Sequence, residues 1–178
     1  MSSALRIVLA KEPDTPLILN FIRKLAEYEK LSHEMVTTED NLRNGLFGAR
    51  RVAEVLLAYW DGEPAGFALF FPNFSTFLGK PGIYLEDLFV EHAFRGRGIG
   101  KALLSALAGI ARERDCGRLE WAVLDWNSPA IDFYRSVGAV GMYDWTVFRL
   151  AGDALDRLAG TSPVSEGGPQ GRDAASTS

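Results

Sequence analysis

The feature that most constrains the fold is a glycine-rich segment, residues 95–101, with the sequence RGRGIGK. Before it, Ile83 to Val90 is a strand-like run, and after it apolar residues recur at helical spacing from Ile99 to Ala111. Leu119 to Leu124 is strand-like again. This order predicts a β-loop-α-β unit whose two strands lie parallel in one sheet.

The rest of the chain adds strands and helices on both sides of this unit. Asp61-Gly62 between two β-rich runs is a strong signal for a type I′ hairpin, so those two strands should pair antiparallel. The sequence therefore predicts an α/β fold, a mixed central sheet with helices on both faces. The further predicted elements are strand Arg6–Leu9, a helix from Thr15-Pro16 to Tyr28-Glu29, a short helix from Thr38 to Gly45, strands Val52–Trp60 and Pro64–Phe71, helix Pro129–Val137 and strand Trp145–Leu150.

Composition sets the domain organisation. Of 178 residues, 47% are hydrophobic and 11% aromatic, which is enough for one core without disulfides or a structural metal. Residues 160–178 are rich in Gly, Ser, Pro and Thr, and such a segment cannot bury enough apolar surface to fold. We therefore expect one domain over residues 1–159 and a flexible tail over residues 160–178.

Charge and cysteine content exclude several classes of protein. The net charge of −4 lacks the basic footprint that nucleic-acid binding demands. No run of 18 apolar residues and no signal-peptide pattern is visible, so a membrane is not expected as a partner. A single cysteine, Cys116, fits a reducing compartment. We expect a cytoplasmic protein without nucleic-acid partners.

The glycine-rich segment has the chemistry of an anion site. Helix N-termini expose unpaired N–H groups, and glycines allow a pyrophosphate to approach that backbone closely. A Walker loop fits poorly because Ala102, not Ser or Thr, follows Lys101, and the dinucleotide fingerprint fails because Lys101 occupies its third glycine position. A glycine-rich turn that merely begins a helix remains the alternative.

Two carboxylates interrupt the strand before this segment. A strand inside a mixed sheet should be nearly all apolar, yet Glu86 and Asp87 lie in its middle. Side chains alternate along a strand, so we expect the two to point to opposite faces. Either one of them has a chemical role, or the strand lies at an edge or opens onto a solvated cleft.

A third signal lies between residues 124 and 134. Asn127 or Ser128 can cap a helix with Pro129 in its first turn, and Tyr134 then lies one turn further along. Tyr134 can face back toward the end of the central strands. The alternative is a packing residue whose hydroxyl bonds to backbone.

Together these motifs resemble the GNAT acetyltransferase superfamily, over most of residues 5–150. The superfamily pattern is Arg-x-x-Gly-x-Gly at Arg95, Gly98 and Gly100. Tyr84-Leu85-Glu86-Asp87 before it, and Asp125-Trp126-Asn127 with Phe133-Tyr134 after it, are similar to the spermidine/spermine acetyltransferase-like group. Phe74-Ser75-Thr76-Phe77 and residues 122–127 look closest to the thialysine-acetylating branch of that group.

The resemblance implies an acetyl-CoA-dependent N-acetyltransferase, an acyltransferase that modifies the primary amine of a small molecule and forms a homodimer. It implies no metal and no acyl-enzyme, so Cys116 need not be a nucleophile, and we expect His33 and His92 to be ordinary surface residues. The resemblance implies two catalytic residues, Glu86 as the base and Tyr134 as the acid. The acetyl-CoA contacts implied are Leu88, Phe89, Val90, Arg95, Gly96, Arg97, Gly98, Ile99, Gly100, Lys101, Asn127, Ala130 and Phe133, and the substrate contacts are Tyr28, Glu29, Phe77, Glu86 and Asp87.

The reaction requires a neutral amine to attack a thioester. An alkyl ammonium has a pKa near ~10, so Glu86 would take its proton directly or through water, and Tyr134 would protonate the leaving thiolate. The N–H of Phe89 or Val90 would polarise the thioester carbonyl. Two other classes remain open: a catalytically silent acyl-CoA-binding regulatory module, and a nucleotide-binding enzyme that uses the glycine-rich segment.

Overall fold

The computed structural model describes residues 4–162 of the chain, and its internal contacts divide the chain into one unit that ends at Gly138 and another that begins at Ala139. The first unit contains a five-stranded sheet in the order β1-β2-β3-β4-β5. Neighbours from β1 to β4 are antiparallel, and β5 is parallel to β4, so the predicted mixed sheet and α/β class are confirmed. The strands are β1 Leu5–Leu9, β2 Glu54–Trp60, β3 Glu63–Ser75, β4 Lys80–Val90 and β5 Leu119–Glu120.

The four helices of this unit begin where local signals place them. Pro16 lies in the first turn of α1, where its missing N–H costs nothing. The Thr38 hydroxyl caps α2 by accepting the Asn41 N–H at 3.2 Å, and Asn127 caps α4. The helices are α1 Thr15–Glu29, α2 Glu39–Phe47, α3 Ile99–Glu113 and α4 Ser128–Ser136, so α2 continues past its predicted end at Gly45.

The helices cover both faces of the sheet, as predicted. On one face, α1 and α2 bury a cluster in which the rings of Phe21 and Phe67 stack with centroids 5.5 Å apart. On the other face, Leu103 and Leu107 of α3 pack in a cluster with Phe70 of β3. Two separate apolar clusters therefore hold the sheet between helices.

Two hairpins connect β2 to β4. Asp61 and Gly62 have φ values of 50° and 87°, the positive values that a type I′ turn requires at both central positions, which fits the predicted β2–β3 hairpin. The β3–β4 hairpin is longer than predicted. It continues to the pair Ser75↔Lys80, beyond the last pair of β2 with β3, Glu54↔Phe70.

The parallel pairing of β4 with β5 is short. It comprises Ile83↔Leu119 and Tyr84↔Glu120 only, so the predicted strand Leu119–Leu124 is wrong beyond Glu120. From Leu85 onward, β4 has no sheet partner on its β5 side within the described residues. An opening between the two chain segments results.

The second unit differs from the prediction. The predicted strand Trp145–Leu150 is wrong, because these residues pair with no strand of the described chain, and the side chains of Val147 and Phe148 are 84% and 92% exposed. A β-rich composition gives a preference, but only a neighbouring strand completes the hydrogen bonds. Instead, this unit contains helix α5, Gly152–Ala159. Residues 163–178 of the predicted tail lie outside the described residues, and between residues 4 and 162 no helix has the length and apolarity to cross a membrane.

Candidate active site

A cleft of about 510 Å³ lies where β4 and β5 cease to pair. Its walls come from the end of α1, the second half of β4, the start of α3, the segment after β5 and the start of α4. Most sequence-predicted site residues meet here. They are Tyr28, Glu29, Glu86, Asp87, Leu88, Phe89, Val90, Arg95, Gly96, Gly98, Ile99, Gly100, Lys101, Asn127, Ala130, Phe133 and Tyr134.

Two predicted residues do not line the cleft. The Arg97 guanidinium lies over the rings of Trp60 and Phe94, 5.2 and 5.5 Å from their centroids. Phe77 lies in the β3–β4 turn and is 94% exposed. Glu86 is six positions beyond Lys80 along β4, about 20 Å at the usual strand rise, so Phe77 is out of reach of a short substrate bound at Glu86 in the same chain.

Part of the lining was not predicted from the sequence. These residues are apolar and close the walls between the predicted groups: Leu25, Leu85, Phe94, Trp121, Ala122, Val123 and Pro129. Residues 121–123 belong to the apolar run after Leu119, which reads as a strand. This run becomes a cleft wall because pairing with β4 ends at Glu120.

The start of α3 has unused hydrogen-bond donors. Gly98 has φ 79°, a left-handed conformation that strongly favours glycine, and no side chain caps the helix. The Ala102 N–H donates to the Gly98 carbonyl at 3.0 Å, so the amides of residues 99–101 come before the first intrahelical bond. These amides and the positive end of the helix dipole suit an anionic group.

The open edge of β4 presents a defined set of backbone groups. The Glu91 N–H donates to the Ala65 carbonyl at 2.9 Å, which fixes the antiparallel alternation of this ladder. Phe89, two residues earlier, therefore directs its N–H and C=O toward β3, whereas Leu88 and Val90 direct theirs to the open edge. In agreement, the Val90 carbonyl accepts a hydrogen bond from Arg95 Nε at 3.0 Å.

A β-bulge lies at Glu86. Leu69 of β3 pairs with Asp87, and the next residue, Phe70, pairs with Leu85, so Glu86 is the extra residue in β4. Leu85 packs in the α3 cluster and Phe89 in the α1 cluster, although four residues apart they would share a face in a regular strand. The bulge removes the strict alternation from which Glu86 and Asp87 were expected to point to opposite faces, and both line the cleft.

Three carboxyl groups line one part of the cleft. Burial raises the pKa of Glu29. Burial, with smaller contributions from the charges of Glu86 and Glu29, raises the pKa of Asp87 from its ordinary 3.8 to about 7. Among residues 4–162, none of the three forms an ion pair with Lys, Arg or His. This arrangement suits a cationic ligand.

Tyr134, in the last turn of α4, lines the same cleft as these carboxyl groups. Its ring contacts those of Trp121 and Phe133, with centroids 5.0 and 5.3 Å away. Burial, and to a smaller degree the charge of Glu29, raises the pKa of Tyr134 to about 12. The hydroxyl therefore keeps its proton at neutral pH and is available as a donor.

Tyr28 connects the end of α1 to the start of α4. Its hydroxyl donates to Asn127 Oδ1 at 3.3 Å, and its ring lies 6.0 Å from that of Trp126. Arg95 lies over the same ring, 4.8 Å from its centroid.

The described residues contain no group of three or more His, Cys, Asp or Glu side chains arranged to hold a metal ion.

Comparisons with known proteins agree with this fold. A thialysine N-epsilon-acetyltransferase of Bos taurus is 42% identical over 164 residues, which cover 85% of this chain and 95% of that protein. An L-ornithine N5-acetyltransferase of Arabidopsis thaliana is 34% identical, with 86% and 87% covered. A solved integron cassette protein of V. cholerae superposes with a TM-score of 0.75 at 29% identity, covering 89% of this chain and 99% of that one. Residues 19–139 match the Acetyltransferase (GNAT) family, so the chain belongs to that family and is an acetyltransferase.

Proposed function

We propose that this enzyme transfers the acetyl group of acetyl-CoA to the primary amine of a small soluble molecule by direct attack. One observation carries the proposal. A single cleft combines unused backbone donors at the start of α3 and along β4 with three carboxyl groups that have no cationic partner among the described residues. The first set suits the cofactor, and the second suits a substrate ammonium.

The cofactor would lie along β4. Its pyrophosphate takes the amides of residues 96–101, and its pantetheine arm pairs with the open edge as an added strand would. Val90 is in reach of the helix start, since a Cβ at Gly100 would lie 3.8 Å from Val90 Cγ2. Asp87 is about 10 Å further back along the strand. The thioester carbonyl then meets the N–H of Leu88 or Val90, because Phe89 directs its own toward β3.

The chemistry needs one proton acceptor and one donor. A carboxyl group of the Glu86–Asp87 pair receives the ammonium proton, as the sequence predicted for Glu86. Tyr134 donates a proton to the departing thiolate. Because the pKa of Tyr134 is raised to about 12, its hydroxyl is still protonated before that step. Both groups line the same cleft.

The substrate we propose is S-(2-aminoethyl)cysteine or a similarly short amine, in preference to a polyamine. A polyamine carries several ammonium groups along an extended chain, and a selective site needs spaced carboxylates to meet them. Here the three carboxyl groups are close together, and the loop at Ser75-Thr76-Phe77 adds no charge. The bovine relative named for thialysine supports the same choice.

An acetylation screen tests this function. Thialysine, ornithine, lysine, spermidine and an aminoglycoside are each mixed with acetyl-CoA, and free CoA thiol is measured. We expect turnover with the short amines and kcat/KM at least about fivefold higher for thialysine than for spermidine, since one lost ion pair costs ~1 kcal/mol or more. A higher kcat/KM for spermidine contradicts the substrate assignment. Acetyl-CoA binding without turnover on any amine would favour a silent binding module.

A homodimer in the cytoplasm completes the proposal. It rests on the resemblance to the spermidine/spermine acetyltransferase-like group. Light scattering of the purified protein tests the dimer, and a monomeric mass at micromolar concentration would contradict it.

A further inference from the structure

The two neighbouring carboxyl groups at the β-bulge have different surroundings. The Glu86 side chain is exposed, and Glu86 is the residue without a partner in β3. Asp87 pairs with Leu69, its side chain is partly buried, and it too lines the cleft. Solvent therefore screens Glu86 well and Asp87 poorly.

Charged and titratable groups reach the cleft around Asp87 from several elements. Glu86 lies beside it on β4, Tyr28 and Glu29 come from the end of α1, and Tyr134 comes from α4. The cations Arg95 and Lys101 line the cleft, but neither is within ion-pair distance of Asp87. After burial, the charges of Glu86 and Glu29 contribute to raising the pKa of Asp87.

We propose that Asp87, rather than Glu86, is the proton acceptor for the substrate ammonium, while Glu86 and Glu29 supply the negative charges that tune it. This inference rests on the proposed acetyltransferase function. Asp87 also directly precedes Leu88, whose backbone N–H points to the open edge where the thioester would lie. The base and the electrophile would thus come from consecutive residues of β4.

The proton affinity of Asp87 suits this role. An ammonium of pKa ~10 gives up its proton more readily to an acceptor whose own pKa is high. The pKa of Asp87 is raised to about 7, so this transfer is uphill by only about 10³. A base with a pKa close to the working pH is also the most effective one, because it is still largely deprotonated there.

The proposed steps balance. An N–H bond of the ammonium breaks as the proton joins Asp87, and the neutral amine forms the N–C bond to the thioester carbon. The C–S bond then breaks, the sulfur takes the proton of Tyr134, and the phenolate takes the second proton from the nitrogen. Asp87 releases its proton to solvent before the next cycle. The net products are the acetylated amine, CoA and one proton.

The test is the pH dependence of kcat/KM for thialysine in the wild type, Asp87→Asn, Glu86→Gln and Asp132→Asn. We expect the wild type to lose activity below about pH 7. Asp87→Asn should lower kcat/KM by roughly 10²- to 10⁴-fold and move the rise in activity toward the pKa of the free amine. Glu86→Gln should keep the acidic limb and shift it to lower pH, because a negative charge that raises the pKa of Asp87 is gone.

Asp132→Asn is the matched control, since Asp132 is an exposed carboxyl group on α4 that does not line the cleft, and its profile should match the wild type. Calorimetry with CoA shows whether Asp87→Asn is folded, because its affinity should stay within about twofold of the wild type. The proposal is overturned if Glu86→Gln loses the acidic limb, alone or together with Asp87→Asn. It is also overturned if Asp87→Asn keeps that limb. A wild type that acetylates no amine in the screen would instead refute the proposed function.

Discussion

Replacing Asp87 by Asn should stabilise the folded protein at neutral and alkaline pH. The amide has nearly the shape of the carboxyl group but carries no charge into the partly buried site beside Glu86 and Glu29. Burial is the main cause of the raised pKa of Asp87, so ionising this group costs folding free energy. The variant removes that cost.

The magnitude follows from linkage. A shift from 3.8 to about 7 corresponds to about 4 kcal/mol when both states are ionised. Placing the Asn amide in the partly buried site offsets part of this gain, so we expect about half of it, ~2 kcal/mol, at pH 8. Between about pH 4 and pH 7 the folded state binds more protons than the unfolded state, so wild-type stability falls as pH rises through this window. Below it both proteins carry a neutral group.

The assay is urea or thermal unfolding of wild type and Asp87→Asn at several pH values between 5 and 8.5. The stability difference should grow by ~2 to 3 kcal/mol between pH 5 and pH 8 and then level off. At pH 8 the variant should melt roughly 4 to 8 °C higher, at 2 to 4 °C per kcal/mol for a chain of this size. Comparing the two proteins cancels the carboxyl groups they share. A pH-independent difference, or a less stable variant at pH 8, would refute the reasoning.

Two further predictions concern the proposed cofactor site and the acid. Tyr134→Phe should lower kcat by roughly 10²- to 10⁴-fold, with little change in the CoA affinity measured by calorimetry, because a proton donor acts in the transition state. A decrease in kcat below about threefold would make Tyr134 a packing residue. Gly100→Leu should weaken CoA binding at least about tenfold, because its side chain would enter the cleft near Phe133, which lies 3.6 Å from the position of the added Cβ. Gly109→Leu is the control, because a Cβ added at Gly109, further along α3, has no atom within 4 Å, and this variant should bind CoA normally. Equal CoA affinities of the two variants would contradict the assignment.

The elements predicted correctly are those that local signals determine. Helix α1 follows from Pro16 and the apolar spacing after it, and the β2–β3 hairpin follows from Asp61-Gly62, where both residues adopt positive φ. The start of α3 follows from Gly98 in the same way. Each signal lies within a few residues of the element that it specifies, so no knowledge of the fold is needed.

The elements missed depend on distant partners. The bulge at Glu86 follows from the register of β4 against β3, in which Leu69 pairs with Asp87 and Phe70 with Leu85. No residue next to Glu86 in the sequence predicts it. Likewise, the segment after Glu120 has the composition of a strand but diverges from β4. The candidate site was therefore predictable as a set of residues. The relative exposure of Glu86 and Asp87, on which the assignment of the base depends, was not.

The bulge also determines how the length of β4 can change. One extra residue in this strand lets Leu85 and Phe89, four positions apart, enter opposite apolar clusters. Deleting Glu86 would leave these two residues three positions apart, so both would keep their clusters and their partners in β3 within a regular ladder. Packing of the sheet therefore does not require the extra residue. What it adds is a second carboxyl group beside Asp87 in the wall of the cleft.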